Sequence, residues 1–260
     1  MSGKLRNRSS FAGWAGPARP LRLLAWLVLL SLCGSAYGQR APVHYFHSAH
    51  LPPGTVGQGQ LLRGGPLPGY FQPVEVQGPP GVQISFAADG QFLDPQPAPA
   101  RAGMLIGAVY RFKVTNIPRR EGFEVFPTIE VINRTYPPAG LAEHFPIPIQ
   151  LTQEELELAL DGNFVLRVIF LENPNLALPV QSDPQRQLVY DVLGTEDPLE
   201  VADRLGRPMA ILRIGSRIPD GQADSPRFLY GSPPLLPLNQ PQPHPEPRSE
   251  SLSGTRTSVR

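Results

Sequence analysis

From Tyr70 to Arg217, short runs of β-branched and aromatic residues alternate with polar ones and are cut repeatedly by glycine and proline. A period of two punctuated by turn residues predicts strands. Tyr70–Gln77 and Val82–Ala87 form a first pair, joined through Gly78-Pro79-Pro80-Gly81, and Asp89–Gly103 reads as a linker. The strongest pattern lies in Met104–Thr115, where Tyr110, Phe112 and Val114 project to one side and Arg111 and Lys113 to the other. One face of that strand is therefore expected in a core and the other in water. The turn Asn116-Ile117-Pro118-Arg119-Arg120-Glu121-Gly122 leads into a hairpin partner, Phe123–Ile132. Pro127 removes a ladder donor there, which places the partner at a sheet edge or a bulge. Phe164–Leu171, Gln187–Leu193 and Arg207–Ile214 supply three more strands.

Two helices interrupt this pattern. Thr152-Gln153-Glu154-Glu155 has the spacing of a capping box, and Asp161-Gly162 stops the helix it opens. The second has Asp197 as cap, Pro198 in its first turn and Gly206 at its end. Seven strands with only two helices predict a mainly β chain: a single immunoglobulin-like, antiparallel β-sandwich over residues 70–217. Strands and helices do not alternate as an α/β enzyme fold requires.

Outside that block the pattern changes. Met1–Gly38 reads as a secretory signal: Lys4, Arg6, Arg8, Arg19 and Arg22 precede the uncharged run Leu23–Cys33, and Ala36 and Gly38 offer the small residues that cleavage before Gln39 requires. As a helix the run covers about 16 Å, half of a bilayer core. The alternatives are an uncleaved anchor helix extending to Gly38 and a lipidated Cys33, against which Leu32 argues because a small residue is wanted there. Residues 39–69, with Pro52-Pro53-Gly54 and Gly64-Gly65-Pro66, read as a Pro/Gly-rich arm. Residues 218–260 read as a disordered Pro-rich tail, with eight prolines between Pro226 and Pro247.

Composition narrows the function classes. The chain holds 33 prolines and 25 glycines among 260 residues, too many for a helical bundle. Its formal charge of +1 supplies no global field to recruit nucleic acid or an anionic membrane surface. Membrane contact is expected only through the N-terminal segment, if it is retained. Cys33 is the single cysteine, so cleavage leaves no thiol, and neither a disulfide framework nor a thiolate zinc site is expected.

Several residues invite a chemical reading. His44, His47 and His50 are spaced by three, as imidazoles sharing a divalent metal can be, but Pro42 and Pro52-Pro53 bracket them and no carboxylate lies among them. Glu154, Glu155, Glu157 and Asp161 resemble paired acid and base carboxylates, yet acids in a first helical turn have a structural task at the helix dipole. Glu143-His144 sits in an apolar loop with no serine elbow to serve, since Ser85, Ser182 and Ser216 lack the flanking glycines. Downstream, Phe145, Ile147 and Ile149 alternate with Pro146 and Pro148, a segment expected to lie extended against a sheet, closing the core or offering an edge to a partner. Asn133-Arg134-Thr135 matches the N-glycosylation acceptor pattern. No catalytic, cofactor or metal residue is assigned from this reading.

The stretches Pro127–Pro138, Phe145–Ile149 and Arg167–Pro174 resemble segments of an uncharacterised family of exported bacterial envelope proteins. The resemblance implies a location, periplasm or cell envelope, and no activity. The expected function is a noncatalytic structural or interaction module whose partner is another envelope protein or polymer. The alternative is a metal-dependent ligand binder or hydrolytic enzyme with a site assembled from distant residues.

Overall fold

The computed structural model describes residues 48–65, 67–175, 177, 187–215, 219 and 225–238. Eleven strands and three α-helices are found among them. The strands are β1 (Phe71–Gln77), β2 (Gln83–Ala88), β3 (Gln91–Phe92), β4 (Gln96–Pro97), β5 (Ala100–Leu105), β6 (Val109–Thr115), β7 (Thr128–Val131), β8 (Ile147–Gln150), β9 (Val165–Glu172), β10 (Gly206–Ile214) and β11 (Leu235–Pro237). The helices are α1 (Thr55–Leu62), α2 (Gln153–Leu160) and α3 (Pro198–Leu205). The smaller sheet has the order β11-β5-β1-β8; the larger runs β3-β2-β6-β7-β10-β9, with β4 also on β2. All pairings are antiparallel except that of β1 with β8. The chain is thus mainly β and built as two facing sheets. No helix among the described residues is long and apolar enough to cross a membrane.

The core between the sheets follows from the period of two. Tyr110, Phe112 and Val114 of β6 meet Ile84 and Phe86 of β2, Ile129 of β7 and Leu212 of β10. The small sheet answers with Val74, Val76, Ala102, Met104, Ile147 and Ile149. Each fully buried large side chain stabilises the fold by about 1.5–3 kcal/mol relative to exposure. The segment with alternating prolines therefore closes the core: Ile147 and Ile149 are buried while Pro148 faces out.

The opposite face of the large sheet departs from expectation. Arg111 is only 3% exposed, because this face is covered by segments that the sequence assigns to an arm and a tail. The arm reading fails for residues 48–65: Ala49 and Val56 pack with Ile132, Leu199 and Ile211 in a second cluster. Two glycines make this fit possible. A Cβ on Gly57 of α1 would stand 2.8 Å from the Cα of Gly107, so the helix rests on the β5–β6 turn backbone to backbone. The tail reading fails for residues 225–238: Phe228 and Leu229 pack with Ala87 and Phe126, and β11 adds to β5. Prolines and glycines hid both segments, yet their apolar residues bury like any others.

Smaller departures have local causes. Met104–Thr115 is two strands, because Gly107 at φ +83° turns the chain from the small sheet to the large one. The supposed linker before it contains β3, β4 and most of β5. The partner hairpin forms, but β7 lies between β6 and β10 rather than at an edge. Pro127 just precedes its first residue; its carbonyl accepts from the Phe112 N–H at 3.1 Å, and the absent return bond falls where the strand begins. Gln187–Leu193 forms no strand, and Leu188, Val189, Tyr190 and Leu193 are exposed. Both predicted helices are present, and α1 is an unforeseen third.

Candidate functional site

Strand register places Arg111 of β6 and Arg213 of β10 on either side of Thr128 of β7. Side chains at paired positions share one face of a sheet, so the three form a row across the outer face. Glu130, two residues along β7, points the same way and accepts from Arg213 Nη1 at 2.9 Å. Its other oxygen accepts from the Gly57 N–H at 2.8 Å. A buried carboxylate is tolerable when each oxygen is satisfied in this manner.

The arginines fasten the covering segments to the sheet. Arg213 Nη2 donates to the Ala49 carbonyl at 3.2 Å and the Leu51 carbonyl at 3.4 Å. Arg111 donates from Nε to the Phe228 carbonyl at 2.6 Å and from Nη1 to the Phe126 carbonyl at 2.8 Å. Its guanidinium lies over the rings of Phe228, at 4.1 Å, and Tyr230, at 5.1 Å. A third tie is Asp197, the N-cap of α3. Besides accepting from the Leu199 N–H at 2.8 Å, it accepts from the Ala49 N–H at 3.1 Å and from the Ser48 hydroxyl. Partial burial pushes the Asp197 carboxyl up, but the bonds from Ser48, Ala49 and Leu199, with the nearby His50, outweigh it and hold the group below its ordinary value. On the core side, the Tyr110 hydroxyl accepts from the Leu105 N–H at 2.8 Å and donates to the Pro234 carbonyl at 2.7 Å. Burial raises Tyr110 to about 12, against the opposing bond from Leu105.

Between the two covering segments the row opens into a cleft of about 480 Å³. Arg111, Thr128 and Arg213 contribute its polar sheet face, Leu51, Pro52 and Pro53 one wall, and Phe126, Phe164 and Tyr230 the aromatic surfaces. His50 and Asn163 add polar groups, and no aspartate or glutamate is among the described lining residues. Such a cleft can hold and orient a ligand; its described lining offers no serine or cysteine nucleophile. No family model, curated protein or solved structure compared with the chain matches it.

The residues that the sequence singles out do not converge on this cleft. Of the three histidines only His50 is described, exposed and in the lining; His44 and His47 lie outside the described residues, as do Cys33 and the cleavage positions Ala36 and Gly38. Among the described residues no three His, Cys, Asp or Glu side chains are grouped as metal ligands. Glu155 completes the capping box: the Thr152 hydroxyl accepts from its N–H at 3.2 Å while its carboxylate accepts from the Thr152 N–H at 3.0 Å. That carboxylate also pairs with Arg167 at 3.0 Å. Glu157 accepts from Gln153 and pairs with Arg119; the Gln153 bond chiefly, aided by Arg119 and Arg120 against slight burial, holds its carboxyl low. Asp161 pairs with Arg120 at 3.1 Å, and Glu154 is exposed. His144 lies exposed in a single 3-10 turn, Ala142–His144. Ser85 is buried in β2, and Ser182 and Ser216 lie outside the described residues. Asn133 is 6% exposed, its Oδ1 accepting from the Arg134 N–H, so the folded chain shields the glycosylation motif.

Arg111 and Arg213 escaped the sequence reading because alternation alone marks them as solvated. The available signal was Phe228-Leu229-Tyr230, three consecutive large residues inside a proline-rich stretch, which require a surface to cover.

Proposed function

We propose that this protein is an exported, noncatalytic binding module of the bacterial cell envelope, acting in the periplasm or at the envelope on another envelope protein or polymer. The observation that carries this reading is the cleft itself: arginines that hold the fold together also line an open recess with apolar walls. A group already fixed by backbone carbonyls is preorganised for recognition and poorly placed to shuttle protons. Export is supported by the leader in Met1–Gly38 and by the likeness of Pro127–Pro138, Phe145–Ile149 and Arg167–Pro174 to exported envelope proteins.

Fractionation of a bacterial host making the full chain, with mass determination of its N-terminus, tests the location. The expected result is a product beginning at Gln39 outside the cytoplasm, with envelope components recovered by cross-linking. A full-length product folded in the cytosol would overturn the reading.

A further inference from the structure

We infer that the row Tyr70, Arg134, Tyr136 and Arg207 is a docking surface for an acidic, extended segment of a partner protein, a second surface beyond the cleft and independent of it. None of the four residues lines the cleft, and Arg207 and Arg213 lie near opposite ends of β10. Backbone ties bring the row together. The Ile132 and Asn133 N–H groups both donate to the Met209 carbonyl, at 2.9 and 3.1 Å, which fixes the chain after β7 to β10. The Thr135 N–H donates to Gln72 Oε1 at 2.8 Å, which fixes the same chain to β1. Arg134 and Tyr136 therefore bridge the two sheets, between Tyr70 just before β1 and Arg207 on β10. The Arg134 guanidinium lies 5.1 Å from the Tyr70 ring centroid and 4.4 Å from that of Tyr136. The Arg207 guanidinium stands over the same Tyr136 ring at 4.9 Å.

The chemistry of the two arginines points to the occupant. Arg101, Arg119, Arg120, Arg167, Arg204 and Arg213 each pair with a carboxylate. For the guanidiniums of Arg134 and Arg207, ring contacts are the only interactions among the described residues. Glu172, the register partner of Gly206, follows Leu171 and so points to the other face of the sheet from Arg207. Stacking uses the flat face of a guanidinium and leaves its in-plane N–H fork for an acceptor. Carboxylates match that fork, two parallel bonds at a time. Because both guanidiniums stand over one ring, their separation cannot exceed the sum of 4.4 and 4.9 Å. Carboxylates two residues apart on an extended chain project from one face about 7 Å apart, inside that limit. The surroundings suit a peptide. Tyr136 is 60% exposed; Leu171, the register partner of Arg207, and Phe145, whose carbonyl accepts from the Thr135 hydroxyl, are exposed too. Tyrosine and arginine flanked by apolar side chains are the usual anchors of protein interfaces. A polyanion such as nucleic acid calls for a longer run of cations, and the formal charge of +1 supplies no wider field.

The test uses the full chain and fluorescence polarisation of a labelled, end-capped peptide, Gly-Ser-Glu-Thr-Glu-Thr-Glu-Ser-Gly, beside its counterpart with glutamine at every glutamate. The glutamate peptide is expected to bind at least tenfold more tightly, and to weaken as salt is raised. Arg134→Gln and Arg207→Gln are each expected to weaken it severalfold, while circular dichroism and the unfolding midpoint show a folded chain. Arg207→Lys, which keeps the charge and loses the fork, should fall between Arg207→Gln and the parent. Arg204→Gln, which removes an exposed arginine already paired with Glu196, should leave binding unchanged. Equal affinity for the two peptides, no binding by folded protein, or binding indifferent to both glutamine variants would each overturn the surface. Tighter binding of alginate or duplex DNA than of the glutamate peptide would also overturn it, marking a polyanion site instead. The outcome is separable from the broader reading: a cytosolic product would remove export and leave this surface standing, and a silent surface would leave export untouched.

Discussion

Glu130 and Arg213 sit on neighbouring strands in diagonal register, 2.9 Å apart, with side chains 0% and 7% exposed. Their pairing links β7, β10, α1 and the chain before it, since Glu130 also accepts from Gly57 and Arg213 donates to Ala49 and Leu51. Removing either partner leaves the other's charge buried, which costs far more than the pair contributes net. Glu130→Ala is therefore expected to lower unfolding stability by about 3–5 kcal/mol. The paired replacement Glu130→Leu with Arg213→Leu should lie closer to the parent than Glu130→Ala does. Urea unfolding midpoints measure both; a single variant as stable as the parent would contradict the burial.

The Asp197 tie makes the N-terminal segment sensitive to acid. Its folded pKa is depressed, so its contribution is present above the ordinary carboxylate value and lost as pH falls through the lowered one. Stability is expected to decline below about pH 4, and Asp197→Ala to flatten that decline. Hydrogen exchange offers a local check: the Ala49 amide, which donates to Asp197, should lose protection in this variant at neutral pH.

At the other end of the scale the Tyr110 hydroxyl predicts an alkaline limit. Its folded pKa is raised to about 12, so the stabilisation it brings is whole below the unfolded value near 10 and is lost as pH rises toward 12. Tyr110→Phe should remove this alkaline phase. It should also cost about 1–3 kcal/mol at neutral pH, because the Pro234 carbonyl and Leu105 N–H lose their partner. Unfolding midpoints between pH 8 and 11 would show a parallel decline in both proteins if the assignment is wrong.

The covering role of residues 225–238 can be read from one side chain. Leu229 is fully buried beside Ala87 and Phe126, and Leu229→Ala is expected to cost about 2–5 kcal/mol. Leu188, 63% exposed, serves as the control; alanine there should change stability by less than about 0.5 kcal/mol. Thermal unfolding of the two variants side by side decides whether this stretch belongs to the fold or merely follows it.

Much of the architecture was legible along the chain, and particular residues show why. Thr152 and Glu155 form their capping box because it needs only four consecutive residues. Tyr110, Phe112 and Val114 face the core because alternation in a strand is a local rule. Pro127 misled because a missing donor costs little at the start of a strand, even in the middle of a sheet. Val56, Phe228 and Leu229 were hidden among prolines and glycines that signal loose chain. The cleft was not legible at all: its lining draws on residues from Ala49 to Tyr230, and no spacing rule connects them.

By itself the sequence determined the strand-rich class, both punctuated helices and the buried side of the central strands, since each depends on neighbours a few residues away. Only the tertiary structure decided what covers the second face of the large sheet, and so whether Arg111 and Arg213 are solvated charges or buried clamps beside a cleft. The physical reason is that alternation reports which side of a strand a residue occupies, whereas burial depends on what the rest of the chain lays over that side.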